Sequence, residues 1–283
     1  MIYQPRNYSI NCKGRLIDLR HAKVMGILNI TPDSFFDGGK FTEENSILER
    51  VRQLVTDGAE IIDIGGASSR QGASLVTESE EEARLIPTIE LLAKAFPNLL
   101  LSVDTWRSTL AEKAIQKGAH IINDISAGQF DDNMFETVAR LQVPYIMMHL
   151  KGNVQTMHQK FEYSDLLVEV IQFFQERIIE LRKMGIKDII IDPGFGFSKA
   201  IADNFLLLKN LNTLQILDVP LVVGISRKSM INKTLNISAA EALNGTTALN
   251  TVGLMGGANI LRVHDPKEAS ECIKLVQALT ATS

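Results

Sequence analysis

Short runs of β-branched residues alternate with amphipathic segments along almost the whole chain. Eight such runs are present, and most are followed by a stretch with helical spacing of its apolar residues. A chain that alternates strands with helices pairs its strands in parallel, because each helix serves as the crossover connection. Closing eight parallel strands on themselves removes the open edges of the sheet. The pattern therefore predicts an α/β fold of the (β/α)₈ TIM-barrel type, with a doubly wound open sheet as the alternative.

The apolar runs give approximate bounds for these elements. The predicted strands are Lys23–Asn29, Glu60–Gly65, Leu99–Asp104, His120–Asp124, Pro144–His149, Asp188–Asp192, Leu221–Ile225 and Asn259–Val263. The clearest predicted helices are Glu43–Asp57, Glu78–Phe96, Arg107–Lys117, Tyr163–Met184 and Ala239–Met255. Residues 2–22 do not fit the repeat, and Tyr8–Leu19 is typical of a β-hairpin that turns at Lys13-Gly14. We expect one domain over residues 1–283, with this hairpin covering the bottom of the barrel.

Charge and composition exclude several classes of protein. The net charge is −4 and the pI is near 5.8, so no basic surface for nucleic acid is expected. No apolar run approaches about 18 residues, which is the length that a membrane span requires. The first residues lack the pattern of a secretory signal. The two cysteines, Cys12 and Cys272, are far apart in the sequence, so we expect a reduced, cytoplasmic protein.

Polar residues follow the carboxyl ends of the predicted strands. The C-terminal ends of all strands meet at one mouth in a barrel, and this is where such folds place their active sites. A single polar residue there is explained by helix capping, but a polar residue at every strand end favours a ligand site. The residues concerned are Asn29, Asp63, Asp104, Asn123, His149, Asp192, Lys228, Arg262 and His264.

One side of this mouth is rich in hydrogen-bond acceptors. Asp104, Asn123 and Asp192 come from the predicted third, fourth and sixth strands. A buried carboxylate is stable only where donors reach it, and the adjacent N–H groups of a 2-amino-4-oxo pyrimidine would supply them in pairs. The acceptors therefore predict a flat, amide-like heterocycle.

The opposite side is rich in donors. Lys228, Arg262 and His264 follow the seventh and eighth strands, where barrels often bind phosphate. Asn29 lies beside the eighth strand once the barrel closes, so its amide oxygen can reach a Mg²⁺ ion carried by phosphate oxygens. The predicted ligand thus combines a heterocycle with an anion.

Seven segments of the chain, taken in order, resemble the successive signatures of the dihydropteroate synthase family. They are MGILNITPDSFFDGG, IIDIGGASSRQGA, SVDT, IINDISAG, DPGFGFSK, GISRKSM and RVHD. The resemblance implies a Mg²⁺-dependent enzyme that joins 6-hydroxymethyl-7,8-dihydropterin diphosphate to 4-aminobenzoate and releases pyrophosphate. It also implies a homodimer formed through the last helices.

Matching positions assign a role to each motif residue. The resemblance implies that Asp104, Asn123 and Asp192 hold the pterin and that Lys228 lies between the two substrates. It implies that Arg262, Val263 and His264 face the pterin and diphosphate. It also implies that Asn29 binds Mg²⁺. It implies further that Asp37 belongs to the first mobile loop and Ser69 and Arg70 to the second, and that Phe197 and Ser229 line the aminobenzoate subsite. Departure of the diphosphate leaves a pterin cation, so we expect Asp37 to act electrostatically opposite that cation. Asp37, Lys228 and Arg262 are the expected catalytic residues.

The second loop departs from the family's usual Gly-Gly-Glu-Ser-Thr-Arg-Pro-Gly pattern. Ala67, Ser69 and Gln71 stand in place of glutamate, threonine and proline. Two other functions therefore stay open, a pterin-binding methyltransferase domain and a non-catalytic paralogue that acts as a dimer partner. The magnesium and diphosphate residues favour the synthase over the methyltransferase. Lys199 is compatible with a structural role and equally with a place in the mouth.

Overall fold

A computed structural model of the chain describes residues 7–30, 40–67 and 76–281, apart from the side chains of 40–43. The strands are β1 (Ser9–Cys12), β2 (Arg15–Asp18), β3 (Lys23–Asn29), β4 (Ile61–Gly65), β5 (Leu100–Asp104), β6 (Ile121–Asp124), β7 (Tyr145–Met148), β8 (Ile189–Asp192), β9 (Val222–Val223) and β10 (Ile260–Val263). The helices are α1 (Lys40–Thr56), α2 (Glu78–Ala95), α3 (Ser108–Gln116), α4 (Met134–Leu141), α5 (Leu166–Lys183), α6 (Ile201–Lys209), α7 (Ser229–Leu235), α8 (Leu243–Met255) and α9 (Pro266–Thr280), with a 3₁₀ helix over Leu211–Leu217. No helix within the described ranges combines the length and apolar character needed to cross a bilayer.

Eight parallel strands form the central sheet, in the order β8-β7-β6-β5-β4-β3-β10-β9. A parallel bridge between Ile191 and Leu221 joins the β8 strand to the segment that enters β9, so the sheet closes on itself. The predicted (β/α)₈ barrel is confirmed, and the open-sheet alternative is wrong. In this strand order β3 lies between β10 and β4, so Asn29 at the end of β3 is beside the strand that carries Arg262.

All eight predicted barrel strands begin within one residue of the observed ones, and β9 differs in its length. It spans Val222–Val223 where five residues were predicted, because Leu221 forms only an isolated bridge with Ile191 and the strand ends before Gly224 and Ile225. Helix α5 begins later than predicted because the Asp165 side chain accepts from Leu167 N and Val168 N and so caps it. The structure also adds α4, α6, α7 and α9, which the pattern alone does not delimit.

The N-terminal hairpin closes the bottom of the barrel, as predicted. Lys13 and Gly14 both have positive φ, +53° and +89°, which is the backbone of a two-residue type I′ turn. Ile10, Cys12, Ile17 and Leu19 pack in one cluster with the first inward residue of each barrel strand, Met25, Ile61, Leu100, Ile121, Ile146, Ile190, Val222 and Ile260. An apolar plug at this end leaves the other end of the barrel as the place for polar chemistry.

Candidate active site at the barrel mouth

The polar site forms the second layer of side chains inside the barrel. Side chains on a strand alternate between its two faces, so the residues two positions after the apolar bottom layer also point inward. These residues are Ile27, Asp63, Ser102, Asn123, Met148, Asp192, Gly224 and Arg262. The change from a uniformly apolar layer to one with four strongly polar members is what turns the barrel interior into a binding site.

Arg262 crosses the mouth and joins two carboxylates. Its Nε donates to Asp63 Oδ2 and its Nη2 donates to Asp104 Oδ2, both at 2.6 Å. The Asp63 side chain is fully buried, and those of Asp104 and Arg262 are 15% and 19% exposed. The donor side and the acceptor side predicted from the sequence are therefore not separate, because the longest donor reaches across to the acceptors.

Asp63 is the site residue whose role the sequence analysis missed. Besides binding Arg262, its Oδ2 accepts from Asn123 Nδ2 at 3.0 Å, so one oxygen orients two residues assigned to the pterin. The signal in the sequence is a carboxylate in the middle of the apolar run Ile61–Gly65. Asp63 is two positions after Ile61, so its side chain points to the same, inward face of the strand.

The buried charges shift one another's protonation. Burial raises the pKa of Asp104 to about 7; attraction to Arg262 opposes the rise, and the nearby carboxylates of Asp63, Glu81 and Asp124 add to it. Burial would lower the pKa of Arg262, but the carboxylates of Asp63 and Asp104 outweigh it and raise that pKa above its ordinary value. The guanidinium thus stays charged while Asp104 titrates near neutral pH.

Asp192 and Lys228 lie together on the other side of the mouth. Asp192 Oδ1 accepts from Gly194 N at 2.8 Å, and Lys228 Nζ donates to Phe195 O and lies 4.8 Å from the centre of the Phe197 ring. Burial raises the pKa of Asp192 and lowers the pKa of Lys228, the latter to about 8. The Gly194–Phe197 segment therefore positions both charged groups.

The phosphate-side residues line an open cavity of about 540 Å³. Asn29, Lys228, Arg262 and His264 contribute to its wall, with Phe197 and Ser229 at the side predicted for aminobenzoate. His264 Nδ1 lies 3.0 Å from Ser226 Oγ, which also accepts from His264 N at 3.2 Å. The structure therefore brings together the predicted donors and the predicted aminobenzoate residues around one space.

The side chain of Val263, a predicted site residue, does not line the cavity. Its neighbours Arg262 and His264 line the cavity, but the alternation of the strand turns the Val263 side chain outward, where it is buried in the core cluster between sheet and helices. Only its backbone remains available to a ligand. The predictions for Asp37, Ser69 and Arg70 lie outside the described residues.

Comparisons with known proteins agree with this geometry. Residues 25–264 match the family model described as pterin binding enzyme. The chain is 41% identical over 271 residues to dihydropteroate synthase of Escherichia coli K12, covering 94% of both proteins.

Solved structures give the same result. The chain superposes with a TM-score of 0.91 on dihydropteroate synthase of Xanthomonas albilineans with 4-aminobenzoic acid, at 37% identity, covering 98% of this chain and 100% of that one. The enzyme of the same organism in complex with 7,8-dihydropteroate gives a TM-score of 0.87 at 35% identity, with the same coverage.

Proposed function

The chain belongs to the pterin-binding enzymes as a dihydropteroate synthase, and on this premise we propose how its residues condense 6-hydroxymethyl-7,8-dihydropterin diphosphate with 4-aminobenzoate. The observation that carries the proposal is one mouth that combines inward acceptors on β5, β6 and β8 with donors around the open cavity. Asp63, Asp104, Asp192 and Arg262 place charge in this largely buried mouth, and buried charge is costly unless partner or ligand groups compensate it.

The acceptors bind the pterin edge. Asp192 and Asp104 accept its amide-like N–H groups, and Asn123, held by Asp63, supplies both a donor and an acceptor. Arg262 binds only Oδ2 of Asp104, so the other oxygen of the carboxylate can accept from the pterin while the ion pair stays in place. Arg262 is thereby placed beside the pterin ring and the methylene carbon that reacts.

The donors stabilise the leaving diphosphate. Arg262, His264 and Lys228 line the cavity on this side, and cations positioned where charge develops lower the barrier. The C–O bond to the diphosphate breaks, the electron-rich pterin stabilises the resulting cation, and the aromatic amine forms the new C–N bond and releases a proton to solvent. Phe197 and Ser229 would place that amine beside Lys228.

The residues present fit a Mg²⁺ ion bound together with the diphosphate. Asn29 lines the same cavity as Arg262 and His264, so its amide can offer a neutral oxygen ligand there. Mg²⁺ usually binds through one or two protein oxygens, several waters and substrate phosphates. When bound there, the ion supplies charge neutralisation of the leaving group.

A direct assay tests the proposal. We expect the purified protein, given dihydropterin diphosphate, 4-aminobenzoate and Mg²⁺, to release pyrophosphate and form 7,8-dihydropteroate in equal amounts. Chelation of Mg²⁺ should reduce the rate by at least about tenfold, since metal neutralisation of a leaving group is worth several kcal/mol. Pyrophosphate release that ignores the chelator would contradict the magnesium assignment, and release without dihydropteroate would contradict the condensation.

The activity should depend on pH in a bell-shaped manner. Below about pH 7 the carboxyl of Asp104 gains a proton and no longer accepts from the pterin, and above about pH 8 the ammonium of Lys228 loses the charge that faces the leaving group. We expect kcat/KM for the dihydropterin diphosphate to be greatest between these limits. Lys228→Arg, which does not titrate in this range, should remove the alkaline limb, and a profile that is flat from pH 6 to 9 would count against both assignments.

We also infer a homodimer in the cytoplasm. Val252 and Met255 on α8 and Leu275 and Leu279 on α9 are apolar yet exposed, which suits a subunit interface. Sedimentation velocity at two protein concentrations would separate a dimer from a monomer of 31.3 kDa.

Cys12 and Cys272 are both buried and form no disulfide, as expected in a reducing compartment.

A further inference from the structure

Lys199 is a buried lysine to which the reaction as described gives no role. It stands between β8 and α6, its side chain is almost completely buried, and it forms part of the cavity wall. Its ammonium donates to three backbone carbonyls, those of Gly194 at 3.1 Å, His149 at 3.3 Å and Phe197 at 3.3 Å. A buried ammonium needs three acceptors, and this one has three from the backbone alone.

The three carbonyls belong to two neighbouring strand ends. His149 follows β7, whereas Gly194 and Phe197 belong to the segment after β8. The two segments come so close that a Cβ on Gly194 would lie 2.0 Å from the His149 carbonyl oxygen, and Gly194 has a φ of +72°. Only glycine fits such an approach. The Lys199 ammonium therefore bridges the two strand ends at their closest contact.

The bridged segment also holds the charged groups of the site. Gly194 N donates to Asp192, the Phe195 carbonyl accepts from Lys228, and the Phe197 ring lies under the Lys228 ammonium. Lys199 holds the carbonyls of Gly194 and Phe197, so it restrains the residues that make these contacts. The N–H of Gly194 and the carbonyl of Phe195 flank the first of these carbonyls, and the ring belongs to Phe197 itself.

We propose that Lys199 is a positioning residue for the condensation, because its ammonium fixes the Gly194–Phe197 segment in the orientation that aims Asp192 at the pterin and Lys228 at the reacting carbon. The inference rests on the roles proposed above for Asp192 and Lys228. The charge of Lys199 has a second effect. Burial raises the pKa of Asp192, and the positive charges of Lys228, Arg262 and Lys199 each oppose part of that rise.

Other contacts hold the same segment to the fold, so loss of Lys199 need not unfold it. Gly196 N donates to Asn204 Oδ1 at 2.7 Å, and Ser198 N donates to Met157 O at 2.9 Å. Lys199→Met keeps the length and volume of the side chain and removes its donors and charge. It should therefore give a folded protein with a misdirected site.

The test is the affinity for 6-hydroxymethyl-7,8-dihydropterin, which lacks the diphosphate and does not react, measured by calorimetry from pH 5 to 9. We expect Lys199→Met to bind about tenfold to a hundredfold more weakly than wild type, since the loss of one well-aligned charge-assisted hydrogen bond to the ligand changes affinity by about this factor. Protonation of both Asp104 and Asp192 contributes to the acid limb of binding. Because the charge of Lys199 lowers the pKa of Asp192, the Asp192 part of that limb should also move to higher pH in the variant. The titratable and charged groups around the ammonium are His149, Asp192, Asp203 and Lys228, and burial holds the pKa of His149 well below its usual value. Burial also lowers the pKa of Lys199 itself to about 7, so the shift is measured on the acid side, where Lys199 carries its charge.

Matched variants separate the possible results. Lys199→Arg, which keeps the charge, should restore most of the acid limb, and Lys209→Met at the exposed end of α6 should behave as wild type. If Lys199→Met does not fold, Lys199→Gln should show the same shift of the acid limb. Wild-type affinity and an unmoved acid limb in either neutral variant would overturn the proposal. Normal binding by Asp192→Ala would instead overturn the proposed pterin site itself.

Discussion

Asp192→Ala is expected to abolish measurable pterin binding while the barrel stays folded. The carboxylate lies at the C-terminal end of β8 and is almost fully buried. Its Oδ1 accepts from Gly194 N, and its Oδ2 lies 3.6 Å from the point where a side chain at position 224 would place its Cβ. The absence of a side chain on Gly224 leaves room for a ligand edge against that oxygen. Loss of two charge-assisted hydrogen bonds, at roughly 1.5–3 kcal/mol each, corresponds to a loss of affinity of about 150-fold or more.

Two further variants make this result specific. Asp192→Asn keeps the shape and can still accept from Gly194, but it turns an N–H₂ group toward the ligand's donors, so it should bind almost as weakly as the alanine variant. Asp188→Ala lies at the other end of the same strand, where its carboxylate accepts from Asn11 N in the hairpin, and should bind pterin normally. The measurement is calorimetry with the unreactive dihydropterin alcohol. Equal affinity of Asp192→Ala and wild type would show that β8 does not carry the pterin acceptor.

The sequence was sufficient for the barrel because its signals are local. Each strand is a short β-branched run between turn residues, and the number of runs is enough to predict closure. The hairpin was also predictable, since Lys13-Gly14 supplies the left-handed backbone that its turn requires. The pattern was less reliable for bounds, because a side-chain cap can move them, as when Asp165 sets the start of α5.

The candidate site was predictable in its membership but not in its connections. Residues that follow strand ends had to meet, and Asp104, Asn123, Asp192, Lys228, Arg262 and His264 do lie around one mouth. Sequence spacing could not show that Arg262 spans the mouth to reach Asp63, because the two are separated by 199 positions and by the width of the barrel. The outward side chain of Val263 was foreseeable from strand alternation.

Arg262→Ala should have the largest effect on stability of any single change in the site. The guanidinium is the partner of two carboxylates, one of them fully buried, and removing one member of a buried ion pair typically costs about 3–5 kcal/mol because the other charge is left without a partner. The variant should also lose its condensation activity, since the same group faces the diphosphate. Arg262→Lys is the matched control, because a single ammonium cannot span Asp63 and Asp104 and should recover only part of the stability.

The loss of stability in Arg262→Ala should depend on pH in a direction that identifies its cause. Attraction to Arg262 holds down a pKa of Asp104 that burial has raised to about 7, so the pKa rises further when the guanidinium is removed. A carboxyl with a raised pKa in the folded state destabilises the fold while it is ionised, and this penalty is relieved as the pH falls below that pKa towards the unfolded value. Urea unfolding should therefore show the largest difference between variant and wild type near pH 9 and a smaller one near pH 5. Adding Asp63→Asn should recover stability at pH 9, because it neutralises the unpaired buried charge. A difference that is the same at both pH values, or no recovery in the double variant, would mean that lost packing rather than uncompensated charge explains the effect.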